Sequence, residues 1–292
     1  MTYRRCNIQG LHCLVTGATN GIGVETAREL YQAGAQLTVL CRSEQKGQAL
    51  REQLNAKPND IDLLLCDMRS LTQCQAAANQ YLASGKPLDL LINNAGIVNT
   101  NRRVSDDGYE EMLAVNHLAP FLLTNQLLPL LAKSNYARIV NVSSHAHHFV
   151  KGMGFEDLQM EKKFKAFAGY GRSKLANLLF SLALIPRLES TKITVNCVHP
   201  GAVSTGLGTQ NKTVFSRILP FVLKPFFKTP EQGAQTTLYV ALAEDLNGVT
   251  GRYFADCKQA RPKPWAQDEA AAQKLWQLSE AMIAEKVEQN ND

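Results

Sequence analysis

A doubly wound α/β architecture, one parallel sheet with helices on both faces, is predicted by three features of this chain. Near-continuous apolar runs of five to seven residues recur along it, amphipathic segments separate them, and a glycine-rich turn joins the first run to the first such segment. Strands covered on both faces lose the polar alternation of a half-exposed sheet, and parallel strands need helical crossovers.

The first run, Leu11-His12-Cys13-Leu14-Val15, reads as a short buried strand and leads through Thr16-Gly17-Ala18-Thr19-Asn20-Gly21-Ile22-Gly23 into a helix over 24–30. Glycine lets the backbone turn sharply and approach a ligand, while the first amides of the helix and the positive end of its dipole face an anion. A phosphate pocket is expected there. Further strands are expected at 36–41, 61–67, 88–92, 138–142 and 193–198, with helices from Glu44 to Leu54 and from Ser70 to Ala83. Right-handed crossovers place the ligand at the carboxyl ends of these strands. No repeat, low-complexity tract or linker precedes about Gly206. One domain over 1–292 is therefore expected: a cofactor-binding and catalytic core at 11–200, a substrate lid at 201–232, and the C-terminal helices and last strand at 233–292.

Of the 292 residues 45% are apolar and 20% charged, the balance of an ordinary soluble globular protein. The 31 basic and 26 acidic side chains are dispersed, so the net charge of +5 leaves no nucleic-acid footprint and suits a small anionic ligand. Seven cysteines, an odd number without a C-x-x-C pair, read as reduced core thiols. Residues 1–10 are polar and no apolar run approaches a membrane span, so a cytoplasmic location is expected.

The residue after the second strand bears on cofactor choice, because a carboxylate there binds the 2′-hydroxyl of NAD and a cation accepts the 2′-phosphate of NADP. Arg42 stands at that place, so NADP(H) rather than NAD(H) is expected. The fourth strand ends in Asn93-Asn94-Ala95-Gly96, small and amide-bearing residues that let backbone and cofactor come close. Together with the form T-G-x-x-x-G-I-G of Thr16 to Gly23, this stretch resembles the short-chain dehydrogenase/reductase family, whose fold is Rossmann-like.

Tyr170-Gly171-Arg172-Ser173-Lys174 places a tyrosine and a lysine four apart, on one face of a helix. A phenol titrates near pH 10, and a nearby ammonium is expected to lower that value, so that Tyr170 serves as acid or base. Upstream, Ile139 to Ser144 is a strand ending in two serines. The resemblance implies that Ser144 hydrogen-bonds the substrate oxygen, with Ser143 the alternative. It also implies that Asn116 helps hold Lys174 and a proton-relaying water. Asp67 and Met68 would meet the adenine, although Asp67 also suits the cap of the next helix. The loop His199-Pro200-Gly201-Ala202-Val203-Ser204-Thr205 matches the family's P-G loop, where Pro200, Gly201 and Val203 line the cofactor and Thr205 bonds the carboxamide. The resemblance runs from about Leu11 to Lys258.

A long insertion from His145 to Phe167, with Ser173 to Asn177 and Gly251 to Cys257, is similar to the retinol dehydrogenase branch. That branch implies a preference for NADP and a small lipophilic alcohol or carbonyl substrate. The family further implies a homo-oligomer. His145, His147 and His148 are read as shaping the loop, with no metal, because two adjacent residues converge poorly on one ion and no carboxylate or cysteine set completes a site. The apolar stretch 217–228, punctuated by basic residues and two prolines, is read as a substrate lid in preference to a weak membrane-surface contact. Trp276 is read as core. The expected function is NADP(H)-dependent hydride transfer at a carbonyl or alcohol carbon. A non-turnover redox sensor is the alternative, disfavoured by the complete Ser, Tyr and Lys set. A hydrolase using Ser144 with His145 lacks the G-x-S-x-G elbow.

Overall fold

The computed structural model describes residues 3–57, 59–189, 191–203 and 228–288. Its strands are β1 His12–Thr16, β2 Gln36–Cys41, β3 Ile61–Leu65, β4 Leu90–Asn93, β5 Arg138–Val142, β6 Thr194–His199, β7 Tyr253–Ala255 and β8 Lys258–Ala260. They form one sheet in the order β3-β2-β1-β4-β5-β6-β7-β8. All neighbours are parallel except β7 and β8. The doubly wound parallel sheet is as expected, and at its edge Asp256 and Cys257 at φ 51° and 56° make a two-residue reversal that folds β8 back antiparallel on β7. Strand order reverses between β1 and β4, which opens a crevice at their carboxyl ends.

The helices are α1 Ile22–Gln32, α2 Glu44–Gln53, α3 Leu71–Ala83, α4 Glu111–Leu113, α5 Ala119–Leu131, α6 Ala166–Leu184, α7 Pro230–Leu242 and α8 Glu269–Glu288. Ser43 and Ser70 cap α2 and α3 by accepting the amides of Lys46 and Gln73. Between α4 and α5 the chain passes through a π turn, Ala114–Leu118, without leaving the helical path.

Successive strand residues face opposite layers. Leu14, Leu91 and Ile139 pack with α3, α5, α6 and α8, whereas Val15, Ile92 and Val140 pack with α1 and α7. Trp276 is core, as expected, with its ring centroid 4.7 Å from Phe121 and 5.9 Å from Phe180. The neighbouring His117 is fully buried, and its Nε2 lies 2.8 Å from Ser279 Oγ, which ties α8 to the π turn. All seven cysteines are free thiols. Among the described residues no helix is long and apolar enough to cross a membrane.

Candidate active site

The glycine turn is locked to the end of β4 by side chains that bond backbone. Thr16 Oγ1 accepts the amides of Asn94 and Ala95, both at 3.0 Å. The Asn94 amide returns two bonds, to the carbonyls of Thr16 at 2.9 Å and Gly17 at 3.2 Å. A Cβ on Gly17, which sits at φ +67°, would fall 2.8 Å from the Ala95 Cα, and one on Gly23 would fall 2.2 Å from the Gly17 oxygen. Side chains are thus excluded where the two strands meet. Gly21 caps α1 without a side-chain hydrogen bond, so the helix start presents backbone rather than a carboxylate or hydroxyl. Beside it Thr19 is partly buried, Ile22 is buried and Asn20 is exposed.

At the carboxyl end of β2 the Arg42 side chain is 58% exposed and lies 4.0 Å from the Asp67 carboxylate. Asp67 is held more closely by Arg69, through Nη2 at 2.9 Å and Nε at 3.1 Å. Burial alone would raise the Asp67 carboxyl, but the Arg69 hydrogen bonds outweigh it and hold the group below its ordinary range. Asp67 does not cap α3; Ser70 does. Met68 is buried next to it.

The catalytic candidates converge across β5, the π turn and α6. Ser143 faces inward and donates to the Lys174 carbonyl at 2.7 Å. Ser144, its side chain accepting the Ala146 amide at 3.1 Å, caps the short turn His145–Phe149 at the end of β5. Lys174 is 3% exposed; its Nζ donates to the Val142 carbonyl at 2.9 Å and lies 5.8 Å from the Tyr170 ring centroid. Asn177 Nδ2 donates to the same carbonyl at 3.2 Å. Burial lowers the Lys174 pKa to about 8. Burial also raises the Tyr170 phenol, and the Ser144 side chain pulls it back in part. The expected lowering of Tyr170 by Lys174 is therefore not the balance here: desolvation dominates, and the ammonium is turned towards a strand carbonyl.

Asn116 is fully buried in the π turn. Its Oδ1 accepts the Ile97 amide at 2.7 Å, and its Nδ2 donates to the Ile97 carbonyl at 3.0 Å and to Ser173 Oγ at 2.9 Å. Its side chain clamps the segment after β4 and reaches α6 through Ser173. Gly96 lies between the clamp and the lysine, since a Cβ there would be 3.1 Å from Lys174 Nζ.

Pro200, Gly201 and Val203 follow β6, and Val203 forms a parallel bridge with Lys228. Thr205 and residues 217–227 of the expected lid lie outside the described residues. His145 packs against His148 with centroids 3.9 Å apart and ring planes tilted by 46°, and His199 Nδ1 accepts the amides of His145 and Gly201 at 3.2 Å each. These rings brace the loop after Ser144. Among the described residues no group of His, Cys, Asp or Glu is placed to hold a metal ion.

With this geometry in view, the family model for short chain dehydrogenase matches residues 11–214. The chain belongs to the short-chain dehydrogenase/reductase family. It is 41% identical over 296 residues to retinol dehydrogenase 14 of Mus musculus, covering 94% of this chain and 86% of that one, which places it in the retinol dehydrogenase-like branch. A solved structure of a protein from Mycobacterium paratuberculosis matches with TM-score 0.78 at 30% identity, over 97% of this chain and 98% of its own. The Pseudomonas aeruginosa RhlG/NADP active-site complex matches with TM-score 0.66 at 26% identity, over 85% and 95% respectively.

Several residues that shape the site of this short-chain dehydrogenase/reductase carry no role in the sequence motifs above. Arg69 pairs with Asp67 from two residues away, and Ser173 joins Asn116 to the Tyr170 carbonyl, which its hydroxyl meets at 2.8 Å. Asn177 shares the Val142 carbonyl with the lysine. Ser173 and Asn177 flank Lys174 by one and three residues, a spacing that could have marked them as members of one helix face or its neighbour.

Proposed function

We propose that this chain is an NADP(H)-dependent oxidoreductase acting on a small lipophilic aldehyde, ketone or alcohol. The convergence of Ser144, Tyr170 and Lys174 at the carboxyl end of β5 carries this reading. The residues present fit the cofactor: α1 starts without a side-chain cap, the turn before it excludes side chains, and an exposed cation stands one residue beyond β2. Backbone from Gly17 to Gly23 would face the pyrophosphate and Arg42 the 2′-phosphate. Asp67 and Met68 would meet the adenine. Asn94, Ala95 and Gly96 would lie along the ribose side, and Pro200, Gly201, Val203 and Thr205 along the nicotinamide. Bound there, NADP(H) supplies hydride to a carbonyl carbon or accepts it from an alcohol.

In reduction Ser144 and Tyr170 donate hydrogen bonds to the carbonyl oxygen. Tyr170, whose phenol is kept protonated by burial, gives its proton to that oxygen as the alcohol forms. The Lys174 ammonium then stands close to the phenolate left behind. Asn116 acts as a positioning residue, holding the segment after β4 against α6. The similarity to retinol dehydrogenase 14 and the NADP complex of RhlG support the substrate and cofactor classes.

The test is NADPH oxidation across aldehydes and ketones of increasing chain length, retinal included, repeated with NADH. Turnover that rises with apolar length and is faster with NADPH is expected. Tight NADPH binding with no oxidation above background across the panel would overturn the reading.

A further inference from the structure

Among the described residues the two most exposed large apolar side chains are Phe149 and Phe167, at 60% and 76%. They are distant in sequence and touch: their ring centroids lie 6.2 Å apart at 88°, an edge-to-face pair. A surface aromatic alone needs no explanation, but an exposed pair held in contact does. Both rings stand on the elements that carry the catalytic candidates. Phe149 ends the short turn that Ser144 caps, and its ring lies 6.3 Å from His145, the residue after Ser144. Phe167 stands in the first turn of α6, three residues before Tyr170 and therefore on the same side of that helix.

We propose that Phe149 and Phe167 form an apolar subsite for the distal hydrocarbon part of the substrate, continuous with the Ser144 and Tyr170 hydroxyls. The proposal rests on the carbonyl and alcohol chemistry proposed above and adds where the lipophilic portion lies. The polar end of a substrate meets two hydroxyls, and the chain leaving it runs over the rings that the same turn and the same helix turn present. Aromatic faces and edges accept a flexible hydrocarbon without fixing its shape, so the subsite selects apolar length rather than one compound.

The experiment measures kcat and KM with NADPH over a series of straight-chain aldehydes from propanal to decanal, for the wild type and for Phe149→Ala/Phe167→Ala. In the wild type kcat/KM is expected to climb by up to about fourfold per methylene until the rings are covered. In the double variant the decanal-to-propanal ratio of kcat/KM is expected to fall by about tenfold or more, mainly through the KM for decanal. Both positions are exposed, and retained NADPH affinity together with the thermal midpoint verifies the fold. Phe167→Glu, which keeps the helix and adds a charge, is expected to lower the same ratio. An unchanged ratio would overturn the subsite and leave the proposed chemistry standing. An equal fall at every chain length would also overturn it, since the rings would then be packing protein rather than substrate. No aldehyde turnover by the wild type would overturn both.

Discussion

The two ends of the site use polar side chains in opposite ways. At the glycine turn Thr16 and Asn94 direct their hydrogen bonds at backbone, so four bonds clamp β1 to β4 and set the shape that a ligand meets. At the other end Lys174 and Tyr170 lie beneath the surface with ionisations that burial opposes. Polar residues of the first kind add to stability, and those of the second subtract from it in return for chemistry. Substitutions at the two ends should therefore differ in sign as well as in size.

Tyr170→Phe gives the largest expected effect. Removing the proton donor should lower kcat for carbonyl reduction by about a hundred- to ten-thousandfold, with NADPH affinity changed by less than about threefold. Steady-state kinetics beside NADPH titration separate the two. A kcat near the wild-type value would remove Tyr170 from the chemistry and dissolve the contrast between the ends.

Lys174→Met comes next and acts on stability with a positive sign. Burial lowers the folded-state pKa from the ordinary 10.5 to about 8. Between these values the unfolded chain holds a proton that the folded chain has lost, so stability rises with pH across that window and the penalty is complete below about pH 8. A gap of this size corresponds to about 3 kcal/mol, of which the lost bond to the Val142 carbonyl returns about 1 kcal/mol. Denaturant melts should show the variant more stable than the wild type by about 2 kcal/mol at neutral pH. The gain should shrink as pH rises from 8 towards 10.5. Equal stability at neutral pH would mean that the lysine is not strained by burial.

Thr16→Val changes sign. It keeps the shape of the side chain and strands the amides of Asn94 and Ala95, which should cost about 1.5 kcal/mol and weaken NADPH binding without altering kcat at saturation. Loss of kcat with unchanged stability would reverse the assignment of the two ends.

The first six strands were legible because burial in a parallel sheet demands apolar runs, and the glycine turn and the Tyr170 to Lys174 spacing are local patterns. The rest depended on contacts between distant residues. β8 carries exposed Lys258 and Gln259, and the turn before it holds Asp256 and Cys257 where glycine would have advertised a positive φ. The π turn around Asn116 inserts into a helix without disturbing its apolar pattern, so the clamp onto Ile97 left no trace in spacing. The preference for Ser144 over Ser143 came from the family resemblance, since spacing could not show that Ser143 spends its hydroxyl on the Lys174 carbonyl while Ser144 caps the turn after β5. Spacing put Lys174 and Tyr170 on one helix face but could not show that the Val142 carbonyl draws the ammonium inward.

Arg42→Ala is the smallest effect and sharpens the contrast most, because Arg42 belongs to the cofactor end yet supports no part of the fold. The Asp67 carboxylate 4.0 Å away would compete with a 2′-phosphate for the guanidinium. Arg69 holds that carboxylate at 2.9 Å and 3.1 Å, so Arg42 is the looser partner and the one available to a phosphate. Its exposure keeps the gain modest, since exposed ion pairs contribute about 1 kcal/mol or less and a charge-assisted phosphate bond somewhat more. The variant should bind NADPH about tenfold more weakly, bind NADH unchanged, and melt as the wild type does. Equal weakening for both dinucleotides would place Arg42 against a part they share and take the 2′-phosphate out of its role.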